Sequence, residues 1–138
     1  MKQTVFAALV AAAMVGLVTV GYAAEKAPAD YEQAMKDLGA FAAGIDRAVE
    51  AEDFDTVTRL AVSARKAFEV TQTYWTEKSK DAAEQALSGY KSAADLEVVA
   101  GFKNKEGAVF SAGEVKASCG ACHQAHRDKA PDGSFQIK

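Results

Sequence analysis

Proline is nearly missing from this chain: Pro28 and Pro131 are the only two in 138 residues. Both lie outside the long middle, so roughly one hundred residues run between them without the residue that most disrupts a helix. No Lys/Arg cluster is present and the formal net charge is −3. That leaves no electrostatic footprint for nucleic acid; a mildly acidic surface would sooner meet a basic partner patch. Strand-like alternation is lacking in the middle of the chain, as are internal repeats and low-complexity linkers beyond an alanine-rich leader and "AAEKAPAD". Cysteine and histidine are equally sparse, with two of each. Three of those four fall in five positions, "CGACH", residues 119–123.

With 49% hydrophobic and 25% charged residues the composition is that of one ordinary globular domain, not of a disordered chain. The first residues, "MKQTVFAALVAAAMVGLVTVGYAAEKA", combine Lys2, an apolar run from about Val5 to Val20, and small residues at Gly21, Ala23 and Ala24. This reads as a secretory signal peptide over residues 1–23, with cleavage after Ala23 and a mature domain over 24–138. Cleavage after Ala24 would put bulky Tyr22 where a small residue is needed. Losing Lys2 takes the charge to about −4. The expected location is the periplasm, with a membrane attachment only if the leader stays uncleaved as an anchor.

Four segments show helical period. In residues 29–53, Tyr31, Ala34, Met35, Leu38, Phe41, Ala42, Ile45 and Val49 share one face, and Asp30 is a candidate cap. In 55–78 the stripe is Val57, Leu60, Ala61, Ala64, Phe68, Thr71 and Trp75, after a tight turn at "AEDFD". In 79–103 it is Ala83, Ala86, Leu87, Tyr90, Ala94 and Val98, with Ser79, Asp81 and Glu84 as start signals. After "KNKEG", residues 108–129 carry Val109, Ala112, Cys119, Cys122, His123 and His126. Four helices of about twenty residues, each about 30 Å long with short connections, pack most economically as an all-α, antiparallel up-down-up-down four-helix bundle.

The two cysteines admit three chemistries. A redox disulfide of the C-x-x-C type normally caps a helix in a strand-rich, thioredoxin-like setting, which this pattern does not offer. A zinc clip would have to draw Cys119, Cys122, His123 and His126 from eight residues of one helix, whereas structural zinc usually ties separated segments. Covalent haem c needs two thiols to add to the haem vinyl groups and an adjacent histidine to reach the iron. At about 100° per residue, Cys119, Cys122 and His123 fall within an arc of about 100°, so one helical face can supply all three bonds. Gly120 and Ala121 between them are small enough not to obstruct the macrocycle. Haem c, one group covalently attached near the start of the last third of the fourth helix, is the expectation.

With these residues in place the chain resembles the class II c-type cytochromes, the cytochrome c-prime group and its six-coordinate relatives. The likeness covers approximately residues 29–129. Those proteins carry C-x-x-C-H close to the C-terminus of a four-helix bundle, followed by two residues, an aromatic and an arginine. "CGACHQAHR" matches, with His126 at the aromatic position and Arg127 at the arginine. The resemblance implies that a distal ligand, if any, comes from the first helix, four residues after a frequent arginine. "YEQAM" has that spacing and puts Met35 at the ligand position, but Tyr31 stands where the arginine often lies. A thioether is a soft ligand that suits haem iron and raises its potential when paired with histidine. A flexible core filler is the other reading of Met35. Met1 and Met14 lie in the leader, so no other thioether competes.

Arg127 is a candidate propionate contact or proximal-site residue, or else a solvated arginine offsetting the helix dipole. His126 reads as a packing residue beside the haem edge or in the core. Tyr74 and Trp75 fit the haem pocket, a dimer face or the core boundary. The function expected is electron carriage by a six-coordinate His123/Met35 haem that keeps its ligands in both oxidation states. Five-coordinate nitric oxide binding, and a non-haem secreted module with a disulfide or zinc clip, are the alternatives. No acid/base constellation accompanies the motif, so an enzyme is not expected. The expected partner is a redox protein, with a homodimer as a further option.

Overall fold

A computed structural model describes residues 26–138, and the signal-peptide reading of 1–23 lies outside them. Four helices of 22 residues each, α1 (Ala29–Glu50), α2 (Phe54–Trp75), α3 (Lys80–Gly101) and α4 (Lys105–His126), pack against one another as a helical bundle. A two-stranded antiparallel hairpin follows, β1 (Arg127–Lys129) paired with β2 (Phe135–Ile137).

Polar side chains set two of the helix starts. The Asp53 carboxylate accepts from the Thr56 amide at 3.0 Å, and the Asn104 side-chain oxygen accepts from the Gly107 amide at 3.0 Å. Each satisfies a backbone donor that the first helical turn leaves without a partner. Asn104 starts α4 at Lys105, three residues before the expected Ala108. Asp30 does not cap α1: Pro28 is the cap residue, and the Asp30 side chain lies one residue inside, accepting from the Tyr31 amide.

Phe41, Ile45, Val57, Leu96 and Val115 are the largest fully buried side chains. Burial of each such side chain contributes about 1.5–3 kcal/mol. The stripes expected on α1 and α2 are the buried ones, apart from exposed Ala42 and half-buried Met35 and Leu60. On α3 the expected stripe is rotated: Ala82, Ala86, Gly89, Ala93, Leu96 and Ala100 face inward, while Val98 is 58% exposed. The cause is close approach to α2, where the Phe68 ring lies against the α3 backbone. A Cβ at Gly89 would sit 2.3 Å from that ring. The smallest face of α3 therefore turns inward. On α4 the inward residues are Ala108, Ser111, Ala112, Val115 and Ser118, and Val109 is exposed.

The fourth helix ends at His126 rather than continuing to Lys129, so Arg127 is not one helical turn beyond His123. "APDGS" forms a turn in which the Gly133 amide donates to the Ala130 carbonyl at 2.9 Å, with Gly133 at φ 85°. Proline followed by Asp-Gly suits such a turn, because glycine alone takes that dihedral without strain. The turn brings Phe135–Ile137 back onto Arg127–Lys129, and the pairing draws Arg127 into extended backbone.

Candidate functional site

The last two turns of α4 carry Cys119, Cys122 and His123, all half-buried, and both thiols are free. Two apolar clusters meet at this end of the bundle. Cys119 packs against the main core, which includes Leu38, Phe41 and Val115. Cys122 packs against a second, smaller cluster of Tyr31, Trp75 and Ala82. Met35, on the second turn of α1, packs against both. The fold thus gathers Met35, Cys119 and Cys122, residues more than eighty positions apart, with His123 on the adjoining turn. Arg127 joins neither cluster. It is exposed, its guanidinium 4.0 Å from the centre of the Phe135 ring.

A chain of contacts closes this end and touches all four helices. The Asp81 carboxylate at the start of α3 lies 2.7 Å from His126 Nε2 at the end of α4. The His126 ring packs on Trp75 with centroids 5.1 Å apart. The Trp75 indole N–H donates to the Tyr31 hydroxyl at 3.2 Å, joining the end of α2 to the start of α1. His126 is therefore a packed, partnered histidine. The sequence offered no signal for its partner, which lies 45 residues away. Tyr74 stacks against Tyr31 at 4.3 Å and belongs to the same aromatic group.

The seam between α1 and α4 differs along its length. Lys116 reaches both Asp46 carboxylate oxygens at 2.6 and 2.8 Å, and Lys105 lies 3.7 Å from Glu50. Beyond Lys116, toward the cysteines, no ion pair or hydrogen bond ties α1 to α4 among the described residues. α4 packs broadly on α3 but only lightly on α1. Among the described residues the seam is thus pinned by ion pairs toward the C-terminal end of α1 and held by side-chain packing alone toward Met35 and the cysteines.

Electrostatics favour neutral groups here. Burial pushes the Cys119 thiol up to about 11, with the Cys122 sulfur adding to the shift. Burial and then the Asp81 carboxylate raise Cys122 as well. Reactive redox cysteines sit at helix N-termini or beside cations, which lower the thiol pKa. Cys119 and Cys122 instead lie near a helix C-terminus, where the dipole opposes a thiolate. A thioether sulfur carries no charge and suits this setting. Burial, with Arg127 contributing, lowers the His123 pKa, which favours the neutral imidazole, the form that binds metal.

The chemistry of Cys119, Cys122 and His123, two uncharged thiols and an imidazole close together on α4, is of the kind that covalent haem c would need. A zinc clip fits poorly. Among the described residues no three His, Cys, Asp or Glu side chains gather to hold a metal ion, and His126 is committed to Asp81. Surface clefts among the described residues lie elsewhere. One of about 360 Å³ lies among Pro28, Asp30, Glu69 and Tyr74; one of about 660 Å³ lies among Arg65, Tyr90, Val98 and Phe102. Neither is lined by Met35, Cys119, Cys122 or His123. No described helix is long and apolar enough to cross a membrane.

Comparison with known proteins finds no matching protein-family model, curated protein or solved structure.

Proposed function

We propose that the chain is a periplasmic monohaem c-type cytochrome of the class II kind that carries electrons, built on an antiparallel up-down-up-down bundle. Cys119 and Cys122 would hold the haem by thioether bonds, and His123 and Met35 would ligate its iron. The observation that carries the reading is the convergence of Met35 with the C-x-x-C-H turn: Met35 and Cys122 share one aromatic cluster, and Met35 and Cys119 share the main core. A haem bound this way supplies one-electron exchange between ferric and ferrous iron. The protein supplies the rest. Two covalent tethers fix the group to α4, the neutral His123 imidazole is ready to ligate, and Met35 stands on a separate helix. Tyr31, Trp75 and Ala82 exclude water from the Cys122 side. If both residues stayed bound in each oxidation state, reorganisation would be small, as a carrier needs.

The test uses protein matured in a host competent for cytochrome c assembly. A mass increase of one haem is expected, with a low-spin ferric spectrum and a methionine-to-iron band that Met35→Ala removes. A pigmented protein already high-spin before substitution overturns ligation by Met35 and favours the five-coordinate, gas-binding alternative. A colourless chain of unchanged mass overturns haem attachment altogether.

A further inference from the structure

The hairpin after α4 presents a face that the bundle covers only in part. Side chains of directly paired strand residues point to the same side, and alternate residues share a side. With Arg127 opposite Ile137 and Lys129 opposite Phe135, these four occupy one face, and Asp128 and Gln136 occupy the other. Ile137 packs into the cluster of Tyr31, Trp75 and Ala82 against which Cys122 also packs. The hairpin is anchored there by the Lys138 amide, which donates to the His126 carbonyl at 3.1 Å. The rest of the same face has no such cover: Phe135 is 62% exposed, with the Arg127 guanidinium over its ring.

An exposed aromatic ring beside two cations, continuous with the apolar cluster at Cys122, is an unusual surface to leave to water. It matches a flat apolar molecule that carries two carboxylates. We propose that this hairpin face covers the edge of the covalently attached haem, with Phe135 and Ile137 against the macrocycle and Arg127 and Lys129 paired with its two propionates. This rests on the haem reading above and adds a second binding element to it, outside the four helices. The match is one of sign, number and position. Two cations answer two carboxylates, charge-assisted pairing is strongest where an adjacent apolar group limits water, and the chain reaches this face four residues after His123. The opposite face, with Asp128 and Gln136, offers neither feature.

The experiment uses the haem-loaded full chain. In the ferrous protein, made diamagnetic by six-coordination or by carbon monoxide, proton cross-peaks are expected between the Phe135 ring and haem substituents. Independently, the doubly substituted Arg127→Gln/Lys129→Gln protein is expected to bind the propionate proton about tenfold more tightly, read as a rise of about one pH unit in the propionate titration. Pigmented protein with no Phe135 cross-peak, or a titration unmoved within about twofold, overturns the cover while leaving haem attachment intact. A chain that gains no haem mass overturns both.

Discussion

At the bundle end formed by the α1–α2 and α3–α4 turns, both helix starts and both helix stops carry local capping bonds. Asp53 and Asn104 cap the helices that start there. The two helices that stop there do so in the same way: Glu52 and Lys103 both adopt φ 54°, and the following amides return to Ala48 and Val99. That is the Schellman arrangement, and it satisfies carbonyls left over by the last turn. Ion pairs from Lys105 and Lys116 tie α4 to α1 and to the turn after it. At the opposite end, α1 and α3 begin at Pro28 and Ser79 with no side-chain cap on their amides. Here the helix ends are joined by an Asp81, His126, Trp75 and Tyr31 chain, beside two half-buried thiols and a methionine, while the Lys80–Glu84 pair stays within α3. Generic folding chemistry accounts for the first end. The second end combines long-range contacts with the C-x-x-C-H turn, and the proposed function rests on that end.

The comparison breaks most sharply in the core. Leu96 is fully buried on the half of α3 remote from the cysteines. Leu96→Ala is expected to cost about 2–5 kcal/mol of unfolding free energy, measured by denaturant titration, because the cavity cannot fully collapse. Haem content and the Met35-dependent spectrum of the folded fraction should be unchanged. A variant that kept its stability but lost the methionine-to-iron band would mean that the two ends are not separable.

A smaller effect of the same kind is expected at the finished end. Asn104→Ala removes the side-chain acceptor of the Gly107 amide and should cost about 1 kcal/mol. Amide exchange at Gly107 and Ala108 should quicken, while the last turn of α4 keeps its protection. Equal loss of protection at both ends would indicate that the bundle opens only as a unit.

Which end was readable from the sequence follows from chemistry. Caps and turns at the finished end are local devices, so "AEDFD" and "KNKEG" announce themselves, although the cap at Asn104 moved the start of α4. The stripes on α1 and α2 were legible because Phe41, Ile45, Phe68 and Trp75 contrast with polar neighbours. α3 and α4 misled because alanine occurs on several of their faces, and the deciding contact, Phe68 against Gly89, lies on another helix. Strands of three residues are too short for alternation to show. The available signals were the Asp132-Gly133 turn and the two apolar residues spaced by two after it. At the site, C-x-x-C-H is a local motif and could be read directly. The expectation for Met35 drew on thioether chemistry and on the family resemblance, and Asp81 was legible only as a helix-start signal, since nothing local links it to His126.

The last contrast concerns acid. Asp81 has its carboxyl held below the ordinary aspartate value of 3.8, first by the hydrogen bond from Ser79 and then by His126. A carboxylate depressed in the folded state stabilises it above the unfolded-state pKa, and that contribution is lost as pH falls through the lower folded value. Protonation also removes the charged acceptor facing His126, a polar tie between the start of α3 and the end of α4. Because Asp81 is solvent-exposed, the effect on global stability should be slight and the local effect larger. As pH drops below about 4, the Arg127 amide, which donates to the His123 carbonyl, should exchange faster. In Asp81→Asn that acid-dependent rise should disappear. Asp53, likewise depressed by its bonds to Thr56, supplies the internal comparison, since its own titration should loosen the first turn of α2 whether or not Asp81 is present. If Asp81→Asn left the acid response at Arg127 intact, the closure of the cysteine end would have to rest on the aromatic stack of Trp75, Tyr31 and His126 rather than on its one charged contact.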